Sequence, residues 1–287
     1  MSGTFRHDHP DPLSVPVRDA ATVMLVRDGE DGLEVCLMQR NLDSDFVGGA
    51  MVFPGGGLDP ADSSPAAYER CAGRDDAGAS RLLDVPADGL AYWVAVVRES
   101  FEEAGVLLAR TASGGPVDLG DPALAARCRV HRSAVDSGGR TLTEVLEEED
   151  LYVAAGDIHY FSRWITPLGA PRRYDTRFFV AAAPEDQEVT HDERELIGTH
   201  WSTPAAALAQ HDAGEITLIF PTVRSLVALA RFASAGDVLA HAAGLAVVEP
   251  VLPTITESPD GVRIVLPGDP EHNGGRYDAY TGRPVTD

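Results

Sequence analysis

Three glutamates stand close enough along the chain to bind a metal ion together. Glu99, Glu102 and Glu103 lie at i, i+3 and i+4, so on an α-helix they share one face. Carboxylates this close repel one another by about 0.2–0.5 kcal/mol per pair. A hard divalent cation such as Mg²⁺ would turn that repulsion into binding, since it takes oxygen ligands and often shares them with substrate phosphates. The alternative is a solvated acidic helix face without a ligand.

The segment that carries the glutamates, 91–106, has the apolar spacing of a helix packed on a core. Gly105 stands near its end, and glycine ends helices because it adopts the left-handed conformation without strain. The pattern therefore predicts a helix that ends at Gly105, with its glutamates opposite its apolar face. The apolar face consists of Leu90, Trp93, Val94, Val97, Phe101 and Ala104.

A glycine-rich turn upstream completes a pattern that resembles the Nudix box. The turn reads Phe53-Pro54-Gly55-Gly56-Gly57, and Asp62 follows it. The family signature is a Gly, five residues, a Glu, seven residues, and then Arg-Glu-apolar-x-Glu-Glu-x-Gly-apolar. Gly56 falls on its first glycine, Asp62 on its first glutamate, and residues 98–106 on its second half.

This chain departs from the Nudix signature at three points. Asp62 replaces a glutamate, and Ser100 occupies an apolar position. The largest departure is that 35 residues separate Asp62 from Arg98, where the signature has seven. An insertion of about 28 residues costs little, because each doubling of loop length adds only about 0.6 kcal/mol.

The resemblance implies an α/β fold, the Nudix α/β/α sandwich, in which a mixed sheet lies between helices. We expect two helical insertions, at about 63–89 and 111–155, within a domain spanning 15–245. Residues 1–14 are expected to be a flexible tail, and 246–287 an arm over the core or a partner subunit. The periodicity predicts strands at 20–27, 33–39, 50–53, 106–110, 160–166 and 173–182, and helices at 122–135 and 141–150. The acidic run in the last of these helices is expected to face solvent.

The activity implied by the resemblance is hydrolysis of a nucleoside diphosphate linked to another moiety. Mg²⁺ or Mn²⁺ would be held by Glu99, Glu102, Glu103 and the Gly56 carbonyl. Arg98 would orient the glutamates by pairing with Asp62, while Gly105 is structural.

The base that activates water is left open by the sequence. The resemblance offers two choices, Glu99 or a loop glutamate such as Glu195, for which Glu193 is a close competitor. Arg173 stands in a basic cluster with Arg172 and Arg177 that suits phosphate oxygens. Pairing with surface acids is an equally good use for that cluster.

The sequences around the box bear on the substrate class. Sequences flanking the box resemble the long Nudix subgroup that includes peroxisomal coenzyme A diphosphatases. Such enzymes carry a second motif, whose spacing is met here by Arg40, Gly49 and 53–56, so Arg40 and Gly55 are candidate substrate contacts. Dinucleotides and nucleotide sugars are alternative substrates, and a non-catalytic nucleotide-binding module is an alternative function. Four positions depart from the second motif, namely Cys36, Met38, Asn41 and Asp45.

Composition excludes several other classes of protein. A net charge of −22 over 287 residues argues against binding a nucleic acid polymer, which requires a basic surface. No apolar run approaches the ~20 residues that span a bilayer. Three cysteines suggest neither a disulfide framework nor a zinc site. The absence of a signal-like start and of a Ser-Lys-Leu end predicts a cytoplasmic protein, and a homodimer is left open.

Overall fold

The computed structural model describes residues 11, 14–42, 48–191, 195–258, 261–266 and 276–278. The strands are β1 (Val17–Gly29), β2 (Gly32–Arg40), β3 (Ala50–Val52), β4 (Gly55–Gly57), β5 (Ala109–Thr111), β6 (Leu151–Val153), β7 (His159–Ile165), β8 (Arg173–Ala182), β9 (Leu196–Ser202), β10 (Thr217–Leu218), β11 (Pro250–Val251), β12 (Thr254–Ser258), β13 (Gly261–Val265) and β14 (Arg276–Asp278). The helices are α1 (Pro65–Glu69), α2 (Asp76–Leu83), α3 (Ala91–Ala104), α4 (Pro122–Asp136), α5 (Leu142–Glu148), α6 (Pro204–Ala213), α7 (Phe220–Leu229) and α8 (Ala235–Ala243).

The main sheet is mixed, as predicted. Its strand order is β10-β3-β2-β1-β8-β7-β11, with β4 also paired to β1 and β9 to β2. The predicted hairpin is confirmed, because β1 and β2 pair antiparallel around Gly29 and Gly32. β1 and β8 pair in parallel over ten residues. These central strands are covered on both faces, which explains their nearly continuous apolar runs.

Helices cover both faces of the sheet and complete the α/β/α sandwich. One face packs against α3 and the insertion helices, around the buried Trp93 and Phe101. The other face packs against α6, α7 and α8, around Leu226 and Val238. The Trp93 ring meets that of Phe179 on β8 edge to face, at 4.8 Å between centroids. The predicted fold class is therefore confirmed.

Both insertions contain the helices that the sequence predicts. The Ser64 hydroxyl accepts a hydrogen bond from the Ala67 N–H at the start of α1, and Pro65 occupies its first turn. Thr141 and Glu144 form a reciprocal capping box at the start of α5, which satisfies two otherwise unpaired N–H groups. Beyond α5, Leu151–Val153 pairs back onto Ala109–Thr111 as a two-stranded sheet.

The predicted strand at 106–110 is wrong over its first three residues, since β5 begins at Ala109. The reason is that the Gln187 side chain, rather than a neighbouring strand, provides the hydrogen-bond partners of Leu107. The Gln187 carboxamide accepts from the Leu107 N–H at 2.8 Å and donates to the Leu107 carbonyl at 3.2 Å. These main-chain groups are therefore satisfied outside any strand ladder.

In the C-terminal region, three strands form a small separate sheet of order β12-β13-β14. Ile264, Leu266 and Tyr277 of this region pack on Phe220 of α7. Arg224 of the same helix donates to the Tyr277 hydroxyl at 3.2 Å. The region therefore lies against the core, as expected for an arm.

The three cysteines are free thiols. Burial raises the pKa of Cys36 to about 12 and that of Cys128 to about 11, so both remain protonated at neutral pH. Among the described residues, every helix is too short or too polar to cross a lipid bilayer.

Candidate active site

The glutamate helix α3 is more deeply buried than its sequence pattern predicts. Of its 14 residues, all except Glu102 and Glu103 are buried. Glu99 is only 8% exposed, so the alternative of a solvated acidic face is wrong for this helix. The helix ends as predicted, with Gly105 in the left-handed conformation at φ 68° and its N–H bonded to the Phe101 carbonyl.

The glycine-rich turn lies directly on these glutamates. Its strand β4 pairs with β1, so that Gly56 faces Ala21 and Gly55 faces Thr22. The Gly55 N–H donates to Glu103 Oε2 at 2.8 Å. A Cβ atom at position 56 would collide with the Glu99 carboxylate, whose Cδ would be 2.8 Å away. A larger residue at this position would therefore displace the Glu99 carboxylate from the glycine-rich turn.

Arg98 joins the two halves of the box. Its guanidinium makes a bidentate ion pair with Asp62, at 3.1 and 3.0 Å, as the sequence predicts. It also donates to the Gly57 carbonyl at 2.8 Å. Two further bonds, which the sequence did not predict, reach Glu99 Oε1 at 2.7 Å and Glu102 Oε2 at 3.1 Å. Arg98 thus holds the glycine-rich turn and two glutamates in one arrangement.

The charges of this cluster are not balanced. Asp62, Glu99 and Glu102 share the single Arg98 guanidinium. Burial raises the pKa of Glu99 to about 7, although Arg98 opposes that shift, and the neighbouring Glu102 raises it further. Burial also raises the pKa values of Glu102 and Asp62. Carboxylates whose charge is disfavoured in this way are stabilised when a cation approaches.

The donor set fits a divalent metal ion. Carboxylate and carbonyl oxygens are the ligands of hard cations such as Mg²⁺, and the turn brings the Gly56 main chain against Glu99. Glu99, Glu102 and Glu103, together with the Gly56 carbonyl, remain the residues that would hold the ion.

Two other predicted residues lie together at the end of β2. Glu195 immediately precedes β9, its side chain is exposed, and its carbonyl accepts from the Asn41 N–H at 2.7 Å. The strand register pairs Arg40 with Leu196, the next residue. Their roles as base and substrate contact stay predictions. The competing Glu193, and Asp45, lie outside the described residues.

The position of Arg173 gives no support to a phosphate contact. Its guanidinium is buried and donates to the carbonyls of Thr166 at 3.1 Å and Pro167 at 3.2 Å. Arg177 pairs with Asp19 and Asp175, which is the alternative use that the sequence suggested. Arg173 and Arg177 therefore hold the N-terminal half of β8 in place.

Two contributions to the site were not recognised from the sequence. Ser100 fills an apolar position of the signature, and its hydroxyl donates to the Val106 carbonyl at 2.8 Å, just beyond the helix end. Arg132 of α4 donates to the carbonyls of Glu102 and Glu103. It stands 30 and 29 residues from them, and no local pattern signals such a contact.

Comparison with known proteins assigns the family. The family model described as the NUDT19 Nudix domain matches residues 68–229, which include α3. The chain is 32% identical over 271 residues to human acyl-coenzyme A diphosphatase NUDT19, covering 83% of this chain and 72% of that protein. It is 29% identical over 297 residues to the protein of the same name from Gallus gallus, covering 88% and 79%.

A solved structure extends the match to three dimensions. The crystal structure of a NUDIX hydrolase from Alicyclobacillus acidocaldarius superposes with a TM-score of 0.66 at 26% identity. The match covers 83% of this chain and 100% of that one. With the buried glutamates of α3 lying under the glycine-rich turn, these matches show that the chain belongs to the Nudix hydrolase family, in the group represented by the NUDT19 Nudix domain.

Proposed function

We propose that this protein hydrolyses the diphosphate bond of coenzyme A or of acyl-coenzyme A. The observation that carries the proposal is the buried glutamate cluster under the glycine-rich turn, with three acidic side chains sharing one arginine. The substrate class is supported by relatives named acyl-coenzyme A diphosphatase, which match 83% and 88% of the chain. It is also supported by Arg40, Gly49 and 53–56, which stand at the spacing of the coenzyme A motif.

The metal would be Mg²⁺ or Mn²⁺, held by Glu99, Glu102, Glu103 and the Gly56 carbonyl. A bound ion polarises the diphosphate and lowers the pKa of a water molecule. Arg98 donates hydrogen bonds to Glu99 and Glu102. Its bonds to Asp62 and to the Gly57 carbonyl keep its guanidinium in place.

The candidates to take the proton from water are Glu99 and a loop glutamate, either Glu195 or its competitor Glu193. In the metal-free protein, burial raises the pKa of Glu99 to about 7. Glu195 is exposed and lies on the loop before β9. A pH–rate profile distinguishes them: an altered profile in Glu195→Gln or in Glu193→Gln would assign the proton transfer to that loop glutamate, and wild-type profiles in both variants would assign it to Glu99.

The test of the function is an assay of the purified chain with coenzyme A. With Mg²⁺ present, we expect the products 4′-phosphopantetheine and 3′,5′-ADP, and we expect EDTA to stop the reaction and added Mg²⁺ or Mn²⁺ to restore it. Turnover that does not depend on metal would contradict the site assignment. A panel of dinucleotides and nucleotide sugars tests the alternative substrates, and faster turnover of one of them would change the substrate class.

Dephospho-coenzyme A provides a sharper comparison within the proposed class. If an arginine such as Arg40 binds the 3′-phosphate, dephospho-coenzyme A should react more slowly. Equal rates would show that the 3′-phosphate is not recognised. No product from any diphosphate, together with nucleotide binding, would instead favour the non-catalytic module.

A further inference from the structure

A residue of the second insertion lies against the last turn of the glutamate helix. Arg132, on α4, donates from Nε to the Glu102 carbonyl at 2.9 Å and from Nη2 to the Glu103 carbonyl at 2.8 Å. The same guanidinium donates to Thr190 Oγ1 at 2.8 Å and to the Thr190 carbonyl at 2.9 Å. One side chain therefore ties together three separate segments of the chain.

The position suits an arginine for two physical reasons. The last carbonyls of a helix lack intrahelical partners, and they form the negative end of the helix dipole. A guanidinium placed there satisfies the carbonyls and offsets the dipole. Gly105 leaves room for it, because a Cβ atom at that position would come within 2.8 Å of both Arg132 Nη1 and Thr190 Oγ1.

The third segment, which contains Thr190, is fixed at the same point. The Thr190 N–H donates to the Ala104 carbonyl at 2.9 Å, and the Gln187 side chain bonds both main-chain groups of Leu107. Residues 187–190 are thus held against the C-terminal end of α3 and the residues that follow it. Glu195, the candidate loop base, follows five residues later.

We propose that Arg132 is a positioning residue for the metal site. By holding the carbonyls of Glu102 and Glu103, it fixes the turn from which those carboxylates project, and through Thr190 it holds residues 187–190 against the same turn. The inference rests on the proposed function, because it assumes that these glutamates hold a metal ion. Misplacing a catalytic group by about 1 Å can cost about 100-fold in rate, so a loosened last turn should impair the site.

The same helix offers a matched control. Arg127 also lies on α4, but it donates both of its bonds to Glu149, at 2.8 Å each, and so ties α4 to the end of α5. Arg127→Gln and Arg132→Gln each remove one guanidinium from the same helix. Only the second removes contacts with α3.

The experiment compares Arg132→Gln, Arg132→Lys and Arg127→Gln in the full chain. Free Mn²⁺ is measured by electron paramagnetic resonance without substrate, and kcat and KM are measured with coenzyme A. For Arg132→Gln we expect kcat to fall about 10- to 100-fold, KM to stay within about threefold, and Mn²⁺ to bind about 10-fold more weakly. Arg132→Lys keeps the charge but loses the planar fork, so it should recover only part of the loss. Arg127→Gln should leave all three quantities unchanged, even where it lowers the melting temperature.

The proposal is overturned if Arg132→Gln lowers the melting temperature but binds Mn²⁺ and turns over like Arg127→Gln. Thr190→Val is a milder variant that removes one acceptor of Arg132, and it should shift Mn²⁺ affinity in the same direction by a smaller factor. The Mn²⁺ measurement needs no turnover. If the wild type bound Mn²⁺ yet did not hydrolyse coenzyme A, the proposed substrate would fail while the role of Arg132 would still be decided by metal affinity.

Discussion

At two acidic helices of this protein, the pKa of a glutamate is shifted in opposite directions. On α3, the pKa of Glu99 is raised to about 7 by burial. Just after α5, the pKa of Glu149 is lowered to about 2, first by the hydrogen bonds from Arg127. Both side chains are well covered, at 11% and 6% exposed. At Glu99 burial outweighs Arg98 and raises the pKa, whereas at Glu149 the hydrogen bonds from Arg127 outweigh burial and lower the pKa.

The acidic end of α5 is compensated by its own neighbours. Arg127 and His131 Nε2 both bond Glu149, and Arg140 bonds Glu148. Arg140 also donates to His131 Nδ1 at 3.0 Å. Since an arginine can only donate, that nitrogen accepts and Nε2 carries the proton. The ring therefore links Arg140 to Glu149.

This contrast distinguishes the ion-paired cluster at the end of α5 from the proposed metal site on α3. Ligand atoms of His131, Glu148 and Glu149 lie within 4.8 Å of one another, a grouping that geometry alone would admit as a metal site. Two arginines already neutralise the two carboxylates there. At the proposed metal site, Arg98 pairs with Glu99 and Glu102 of α3 and also with Asp62, so these ion pairs leave an excess of negative charge that would attract a divalent cation.

The largest expected effect comes from Glu103→Gln, compared with Glu147→Gln on α5. Removing one ligand charge from the proposed metal site should lower kcat by orders of magnitude, since loss of metal-derived stabilisation costs several kcal/mol at about 1.4 kcal/mol per tenfold. Without metal, stability should be unchanged or slightly higher. The rise in melting temperature on adding Mg²⁺ should shrink, because a ligand stabilises only the state it binds.

Glu147 is exposed, and its substitution should change neither turnover nor the Mg²⁺ response. Steady-state kinetics and thermal unfolding with and without Mg²⁺ check both variants. If the two behave alike, the metal site does not lie on α3 and the comparison fails.

The second-largest expected effect is the loss of stability when a buried ion pair, rather than an exposed one, is removed. Asp62 is 2% exposed and bonds Arg98 through both oxygens, whereas the Asp150 carboxylate, paired with Arg70, is 69% exposed. Asp62→Asn should cost about 2 kcal/mol of unfolding free energy, as expected for a buried hydrogen bond to a charged group. Asp150→Asn should cost less than about 1 kcal/mol. Urea unfolding of both variants measures the difference, and equal losses would show that Arg98 does not depend on Asp62.

Helices and strands were predicted from the sequence more successfully than the burial of their side chains. Helix α3 and the hairpin followed from local periodicity, and the Arg98–Asp62 pair followed from the family pattern. Burial of the glutamate face could not be predicted, because the turn that covers it is contributed by a segment more than 40 residues away. The solvated face expected for the α5 run is correct for Glu147 and Glu148 but wrong for Glu149, which α4 covers with Arg127 and His131. Such long-range contacts leave no periodic signal.

A pH series without metal tests the raised pKa of Glu99. Its folded-state pKa of about 7 lies above the ordinary value of 4.5, so the folded state holds this proton more tightly than the unfolded chain. The contribution to stability is fully present below pH 4.5 and is lost as the pH rises towards 7. In EDTA, the melting temperature of the wild type should fall over this range more steeply than that of Glu99→Gln.

Glu149→Gln is the control for that series. The pKa of Glu149 is about 2, so its contribution changes only below pH 4.5 and its removal should leave the slope above that value unchanged. Added Mg²⁺ should flatten the wild-type curve, because the ion favours charged Glu99. Equal slopes for wild type and Glu99→Gln would contradict the unbalanced charge of α3.

The smallest expected effect is that of Glu144→Gln, at the first turn of α5. Glu144 accepts from the Thr141 N–H at 2.7 Å, and this bond lowers its pKa. Glutamine also completes a capping box, so stability at neutral pH should barely change. The lowered pKa gives the wild type stability that is present above the ordinary pKa and lost as the pH falls. Between pH 6 and pH 3, the melting temperature of the variant should therefore fall less than that of the wild type. If the melting temperature of Glu144→Gln falls as steeply as that of the wild type, the hydrogen bond from the Thr141 N–H does not lower the pKa of Glu144.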